Sequence, residues 1–97
     1  FIATKLEAFK NRGKNEQGEL DGRFSQDLED IVFVFEHRTD IFQEMKDAEP
    51  ELREYLRAEF TALMNHPYFE EWVDANTSYS SPRMVRVILL SIQEFIE

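Results

Sequence analysis

The sequence predicts an all-α protein, a compact bundle of five or six helices. Apolar side chains recur at intervals of three and four residues in successive segments, which is the period of an amphipathic helix. The segments are separated by residues that begin or end helices, such as Ser25 before the second and Ser81-Pro82 before the last. The 97 residues are enough for one domain with a modest core.

Composition narrows the class of protein. The net charge is −9, and residues 25–97 carry six cations against sixteen anions. Such an acidic chain is not expected to bind nucleic acid or an anionic membrane. Cysteine is absent, which excludes a disulfide framework and suits a reducing compartment. The chain has no apolar run of about 18 residues and no secretory signal, so the sequence predicts a soluble cytoplasmic protein.

The chain starts at Phe1, without a methionine and directly on an amphipathic pattern. We therefore expect residues 1–97 to form a single helical domain that is a piece of a longer protein. A processed mature chain is the alternative.

The first helix is expected to run to about Arg12. Gly13 is predicted to end it in the left-handed conformation that glycine adopts easily. Residues 13–24 contain three glycines among polar residues without periodicity, which predicts a mobile connection. A phosphate-binding glycine loop is the alternative, but the glycine spacing does not match and no strand precedes it.

The second helix is predicted for Ser25–Arg38, with Ser25 as its N-cap. Its segment Ile31–Phe35, IVFVF, has the composition of a strand, but the flanking residues continue a helical period, so a helix is favoured. Thr39 is the expected cap of a short third helix over Asp40–Asp47.

Three further helices complete the predicted bundle. Pro50 suits the first turn of a fourth helix that runs to about Asn65, and Tyr68–Ala75 forms a short fifth helix. After a polar loop at 76–80, Ser81 and Pro82 begin the last helix. Its apolar residues cover more than the roughly 100° stripe that a surface helix buries. It should therefore be buried on most sides, either at the centre of the bundle or against something outside it.

The histidine and serine residues of the chain do not form a recognisable metal-binding or catalytic pattern. His37 and His66 lie far apart and lack any metal-ligand spacing. Ser91 lies among apolar residues in a helix, where a packed hydroxyl is more common than a nucleophile. The sequence thus predicts neither a metal site nor a hydrolase triad.

Two cations and two carboxylates are stronger candidates. Lys5 and Arg12 fall on one edge of the first helix, and Asp27 and Asp30 are one turn apart on the second. The carboxylates could bind Mg²⁺, accept a proton or only compensate the helix dipole. The cations could bind a triphosphate, or their aliphatic chains could only pack along the edge of the core. We expect Lys5 and Asp27 to meet at one seam that opens onto a solvent-reachable cleft.

The segments FIATKLEAFKNRG and SQDLEDIVFVFEHR together resemble the paired C-terminal motifs of AbiEii/AbiGii-type nucleotidyltransferases, many of which are toxins of toxin–antitoxin systems. In that family a KLxAxxxRG helix is followed, after a loop, by a DLxDI helix. The resemblance covers residues 1–38. The family also has a Gly-Ser motif with paired acidic residues on a catalytic core, which holds Mg²⁺ and the nucleoside triphosphate, and this chain has no such Gly-Ser motif.

The resemblance implies in-line transfer of a nucleotidyl group with release of pyrophosphate. It places the family's lysine at Lys5, in contact with the triphosphate, and its acidic pair at Asp27 and Asp30. Asp27 is then the better candidate to orient or deprotonate the acceptor hydroxyl, and Arg12 matches the basic end of the first motif. A nucleoside triphosphate and Mg²⁺ are the cofactors implied for the full-length protein. None is expected in this chain, which is predicted to be inactive alone.

The implied partners are the missing N-terminal catalytic core and an antitoxin protein. Two other functions stay open: a helical module that binds a protein through its acidic surface, and a purely structural domain whose carboxylates only cap helices. The first and last helices carry more apolar surface than so small a bundle can cover. We therefore also expect a homodimer whose interface includes one of these two helices.

Overall fold

Six α-helices and one short 3-10 helix make up the described part of the chain, which contains no strand. The computed structural model describes residues 1–38, 40–77 and 81–97. The helices are α1 (Ile2–Arg12), α2 (Gln26–His37), α3 (Ile41–Lys46), α4 (Pro50–Met64), α5 (Phe69–Asn76) and α6 (Pro82–Ile96), with the 3-10 helix Gly22–Phe24 between α1 and α2. The predicted all-α bundle of five or six helices is confirmed.

All six helices contribute to one apolar core. α1 packs against α2, α4 packs against α6, and α5 contacts α2, α6 and the 3-10 helix. Phe60 of α4 and Val73 of α5 are fully excluded from solvent at its centre. The Phe60 ring contacts both Phe35 of α2 and Phe95 of α6, so aromatic side chains join three helices there.

Residues near the helix ends explain where several helices begin. The Ser25 hydroxyl accepts a hydrogen bond from the Leu28 N–H at the start of α2, and the Ser81 hydroxyl accepts one from the Met84 N–H at the start of α6. Pro50 and Pro82 occupy first-turn positions, where a missing N–H costs nothing. These predicted starts are confirmed, and the segment Ile31–Phe35 is helical rather than a strand.

Other boundaries differ from the prediction by a residue. Helix α3 spans Ile41–Lys46 instead of Asp40–Asp47. Its expected cap, Thr39, lies outside the described residues. Helix α5 spans Phe69–Asn76, one residue later than predicted at each end. Of the predicted polar loop, Asn76 is helical, residue 77 ends the helix, and residues 78–80 lie outside the described part.

Gly13 ends α1 for a different reason from the one predicted. Its φ is −80°, so the predicted left-handed conformation is wrong. A Cβ at this position would lie 2.5 Å from Cδ1 of the Phe9 ring and 2.6 Å from the Phe9 carbonyl oxygen. Gly13 is therefore required because its backbone packs against Phe9 without room for a side chain.

The connection between α1 and the 3-10 helix is more regular than predicted. Lys14 and Leu20 form a short antiparallel bridge, and the Asn15 side-chain oxygen accepts hydrogen bonds from two backbone N–H groups inside the turn. Gly18 sits at the tip with φ of 81°, a conformation that favours glycine. These hydrogen bonds close the segment into a defined turn, and the mobility predicted for it stays a prediction.

Helix α6 is not enclosed by the bundle. Val85, Ile88 and Ile92 face the core, but Val87 and Leu90 are 49% and 61% exposed. The described chain thus leaves one face of this helix uncovered. Of the two predicted alternatives, the central position in the bundle is wrong, and burial against something outside it stays a prediction. Among the described residues, no helix is long and apolar enough to cross a membrane.

Candidate functional site

The four candidate side chains meet along one edge of the α1–α2 pair. Lys5 and Arg12 are two turns apart on α1, and Asp27 and Asp30 are one turn apart on α2. Arg12, late in α1, pairs with Asp27, early in α2, whereas Lys5 pairs with Asp30. This order shows that the two helices run antiparallel. We call these four residues the charged seam.

Asp27 is the buried member of the charged seam. The residue is only 4% exposed. Arg12 binds it with a forked contact, in which Nη2 donates to Oδ1 at 2.8 Å and Nε donates to Oδ2 at 3.3 Å. The Lys5 ammonium lies 3.6 Å from the same Oδ1. Because a carboxylate removed from water is stable only when it is paired, these two cations of α1 are what keeps Asp27 in the helix interface.

Asp30 and Lys5 form the more exposed half of the seam. The Lys5 Nζ lies 2.7 Å from Asp30 Oδ2, and Gln26 Nε2 donates to Asp30 Oδ1 at 3.2 Å. The hydrogen bond from Lys5 lowers the pKa of Asp30, and the same hydrogen bond raises the pKa of Lys5. Both groups are therefore charged at neutral pH, and Asp30 is a weak proton acceptor there.

Solvent reaches the seam unevenly. The side chains of Arg12, Asp30 and Lys5 are 69%, 31% and 26% exposed, whereas that of Asp27 is 6% exposed. The expectation that Lys5 and Asp27 meet at one seam is confirmed. The expectation that both open onto a cleft is wrong for Asp27, because Arg12 and Lys5 cover its carboxylate. What the seam presents to an incoming molecule is two cations and one carboxylate.

The seam carboxylates do not offer a ready site for Mg²⁺. Both oxygens of Asp27 accept from Arg12, and the two oxygens of Asp30 accept from Lys5 and Gln26. Across the described residues, no three or more His, Asp and Glu side chains gather closely enough to hold a metal ion. A metal ion between Asp27 and Asp30 therefore does not fit this arrangement, since it would have to displace cations of the same chain.

The two histidines pack against aromatic rings. The His37 ring lies 4.3 Å from that of Phe33, and the His66 ring lies 4.3 Å from that of Trp72, measured between centroids. The Nδ1 atom of His66 also accepts a hydrogen bond from the Tyr68 N–H. These contacts give each ring a local packing role.

A second polar cluster, which the sequence pattern does not reveal, joins the opposite edge of α1 to α4. The Tyr55 hydroxyl donates to the Glu7 carboxylate, and Lys10 lies 2.9 Å from Glu59. Burial, followed by the contact with Glu7, raises the pKa of Tyr55. Only the helical spacing of Glu7 with Lys10 and of Tyr55 with Glu59 could have indicated it. Helix α1 is thus cross-linked by charge and hydrogen bonds along both edges.

Comparison of the chain with protein families, with curated proteins and with solved structures finds no match. The resemblance to AbiEii/AbiGii-type nucleotidyltransferases therefore depends on the two motifs themselves.

Proposed function

We propose that this chain is the helical part of a nucleotidyltransferase-like protein, in which the charged seam borders a nucleotide site on a catalytic core from outside residues 1–97. The observation that carries the proposal is that the two motifs, on separate helices, bring Lys5, Arg12, Asp27 and Asp30 together at one edge. This edge keeps two cations in partial contact with solvent, as recognition of a phosphate chain requires.

The forked contact between Arg12 and Asp27 leaves donors for a ligand. A guanidinium has five N–H donors, and Asp27 receives two of them. The other three are free to meet phosphate oxygens, in an orientation that Asp27 fixes. In this proposal Asp27 is a positioning residue, since it holds Arg12 and lies close to Lys5 without being exposed itself.

Lys5 contacts the triphosphate in the proposed complex. Its ammonium stays protonated at neutral pH because Asp30 raises its pKa. Asp30 is more accessible than Asp27 and is ionised, so it can orient an acceptor hydroxyl by accepting a hydrogen bond. Its lowered pKa makes it a poor base for removing that proton. Since both seam carboxylates are paired within the chain, the implied Mg²⁺ would be held by the catalytic core.

The first experiment tests anion recognition by the seam in isolation. Tripolyphosphate is titrated into the chain while NMR follows the side-chain nitrogens of Lys5 and Arg12. We expect saturable shifts at millimolar concentration that are lost in Lys5→Met and Arg12→Met. Arg38 is the matched control, because it is a partly exposed arginine paired with Asp40 and Glu44 on another surface. Equal shifts at Arg38, or none at the seam, contradict the proposal.

The second experiment tests catalysis. Purified residues 1–97 are expected to transfer no label from a nucleoside triphosphate to RNA or protein, and robust transfer would refute the need for a separate core. In a longer protein encoded by the same reading frame, Lys5→Met should lower kcat at least tenfold. Lys10→Met, at the other edge of α1, should not. Finding a Gly-Ser motif followed by Asp-x-Asp upstream of Phe1 would identify the core.

A purely structural role is the second candidate, and the complete pairing of the seam favours it. Each carboxylate has a cationic partner and each cation has a carboxylate partner, so the four residues already cross-link α1 and α2. If this is their entire role, Lys5→Met and Lys10→Met will both change the stability of the longer protein, and neither variant will lower its kcat for transfer. The two roles are therefore separated by comparing kcat with the free energy of unfolding in the same variants.

A further inference from the structure

We propose that the uncovered face of α6 is a self-association surface, on which α6 of a second copy docks antiparallel across a two-fold axis close to Leu90. The surface consists of Val87 and Leu90 at its centre, with Arg83 and Arg86 before them and Glu94 and Glu97 after them; we call it the α6 face. All six residues are exposed, and Val87 and Leu90 together form its apolar centre.

The helical positions place these residues on one side. Val85, Ile88 and Ile92 are buried against the bundle, and at 100° per residue Leu90 points almost directly away from them. Arg83 and Glu97 lie seven residues before and after Leu90, which is close to two full turns. The side of α6 opposite the core is therefore a stripe that is basic at one end, apolar in the middle and acidic at the other.

The basic start of this stripe opposes the dipole of α6. The N-terminal end of a helix favours anions. Helix α6 instead has Arg83 in its first turn and no acidic residue there. Within the described chain, Arg83, Arg86 and Glu94 form no ion pair that would compensate. Arg86 lines a groove together with Glu70, Glu71 and Asp74 of α5, but it is paired with none of them. Basic residues that oppose a local preference without an ion-pair partner indicate a partner elsewhere.

An antiparallel second copy supplies that partner. A two-fold axis that crosses the helix near Leu90 places the basic half of each α6 face against the acidic half of the other. Each arginine pair then lies beside Glu94 and Glu97 of the other copy. The glutamates lie beside the other copy's N-terminal end of α6, where the dipole favours anions. Leu90 meets its own copy at the axis, as an isologous interface requires, and Val87 of each copy lies about one turn to either side of it.

The expected affinity is modest. One helix from each copy contributes a smaller area than the roughly 800 Å² per partner of a standard interface, so we expect a Kd on the order of micromolar. The net charge of −9 on each copy also opposes association. Association should therefore be measured at about 0.15 M salt. Repulsion beyond about 8 Å is then screened, whereas ion pairs in direct contact persist.

A charge-exchange experiment tests both the surface and the orientation. Sedimentation velocity should show a concentration-dependent dimer of the natural chain. Arg83→Glu/Arg86→Glu and Glu94→Arg/Glu97→Arg should each be monomeric alone, because each places like charges across the axis. When the two variants are mixed, they should form a heterodimer whose Kd is at least tenfold lower than the homodimer Kd of either variant. Both sets of changes agree with the helix dipole, so the variants are expected to stay helical by circular dichroism.

Two further variants separate the α6 face from the effect of net charge. Lys14→Glu/Lys46→Glu changes the net charge as much as the arginine variant but alters exposed residues elsewhere, and it should still dimerise. Leu90→Asp places two carboxylates at the axis without removing a core side chain, and it should weaken the dimer at least tenfold. A natural chain that stays monomeric to several hundred micromolar overturns the proposal. If Leu90→Asp still dimerises, the α6 face is not the interface. If the two charge variants do not associate when mixed, the antiparallel arrangement is wrong.

Discussion

The backbone of Gly22 packs directly against the indole of Trp72. A Cβ at residue 22 would collide with the Leu28 side chain and would lie 2.7 Å from Trp72 Cδ2, closer than such carbon atoms approach in proteins. The Asn76 amide fixes the same contact, since its Nδ2 donates to the carbonyl oxygens of both Gly22 and Trp72 at 2.8 Å. The 3-10 helix is thereby held against α5, and it sets the point from which α2 begins.

Replacing Gly22 with alanine is expected to destabilise the fold. The added methyl group meets a Trp72 ring that is 2% exposed and has no room to move, so we expect a loss of about 1–3 kcal/mol in the free energy of unfolding. Each kcal/mol corresponds to about 4–8 °C in Tm for a domain of this size. Thermal unfolding followed by circular dichroism provides the measurement.

Gly18→Asn is the matched control for this change. Gly18 has φ of 81° but nothing within 4 Å of a built Cβ, and asparagine tolerates this conformation better than other residues. It should lower Tm much less than Gly22→Ala. Equal effects would mean that the turn, rather than the contact with Trp72, limits stability.

The contrast between Gly22 and the helix caps shows which parts of the fold the sequence can predict. Ser25 and Ser81 are recognisable as caps because a cap bonds to a residue three positions later. The role of Gly22 is not recognisable in this way, because one of the side chains it packs against, Trp72, lies fifty residues away in the chain. No local pattern specifies which glycine will meet which ring.

The candidate site shows the same limit. Lys5 and Asp27 are expected at one seam because each lies at the edge of an apolar face, and two packed faces bring their edges together. The burial of Asp27 under Arg12 depends on how far α1 and α2 are rotated about their axes. Periodicity predicts that rotation only approximately, so it does not show which side chain covers which. The link from Tyr55 to Glu7 is harder still to predict, because it needs the position of α4 as well.

Arg12→Met is expected to destabilise the chain through Asp27. Removing the guanidinium leaves a carboxylate that is 4% exposed with only the Lys5 ammonium, 3.6 Å away. We expect a loss of about 1–3 kcal/mol in urea unfolding, the usual cost of a buried polar group that loses its partner. The double variant Arg12→Met/Asp27→Asn should lose less free energy of unfolding than the sum of the losses in the two single variants. Strict additivity would show that the forked contact contributes no coupling.

The Lys5–Asp30 pair predicts how stability depends on acid. A group whose pKa is lowered on folding adds stability above its unfolded pKa, and that stability is lost as the pH falls through the folded pKa. Lys5 lowers the pKa of Asp30 below its ordinary 3.8, so the difference in unfolding free energy between the natural chain and Lys5→Met should be constant near neutral pH and shrink below about pH 3.8. Carboxyl-carbon NMR should show the Asp30 midpoint rising in the variant. An unchanged midpoint would contradict the pairing.

Tyr55 provides the corresponding test in alkali. Burial first, and then the contact with Glu7, raise its pKa above the ordinary 10.0, so its neutral form stabilises the fold below pH 10 and this contribution is lost as the pH rises through the folded pKa. The difference in ultraviolet titration between the natural chain and Tyr55→Phe isolates this phenol, and we expect it to ionise only above pH 10. Glu7→Gln should lower its pKa only in part, because burial is the larger cause. If Glu7→Gln returns Tyr55 to an ordinary pKa, then the carboxylate and not burial controls its ionisation, and α4 lies less closely against α1 than the structure shows.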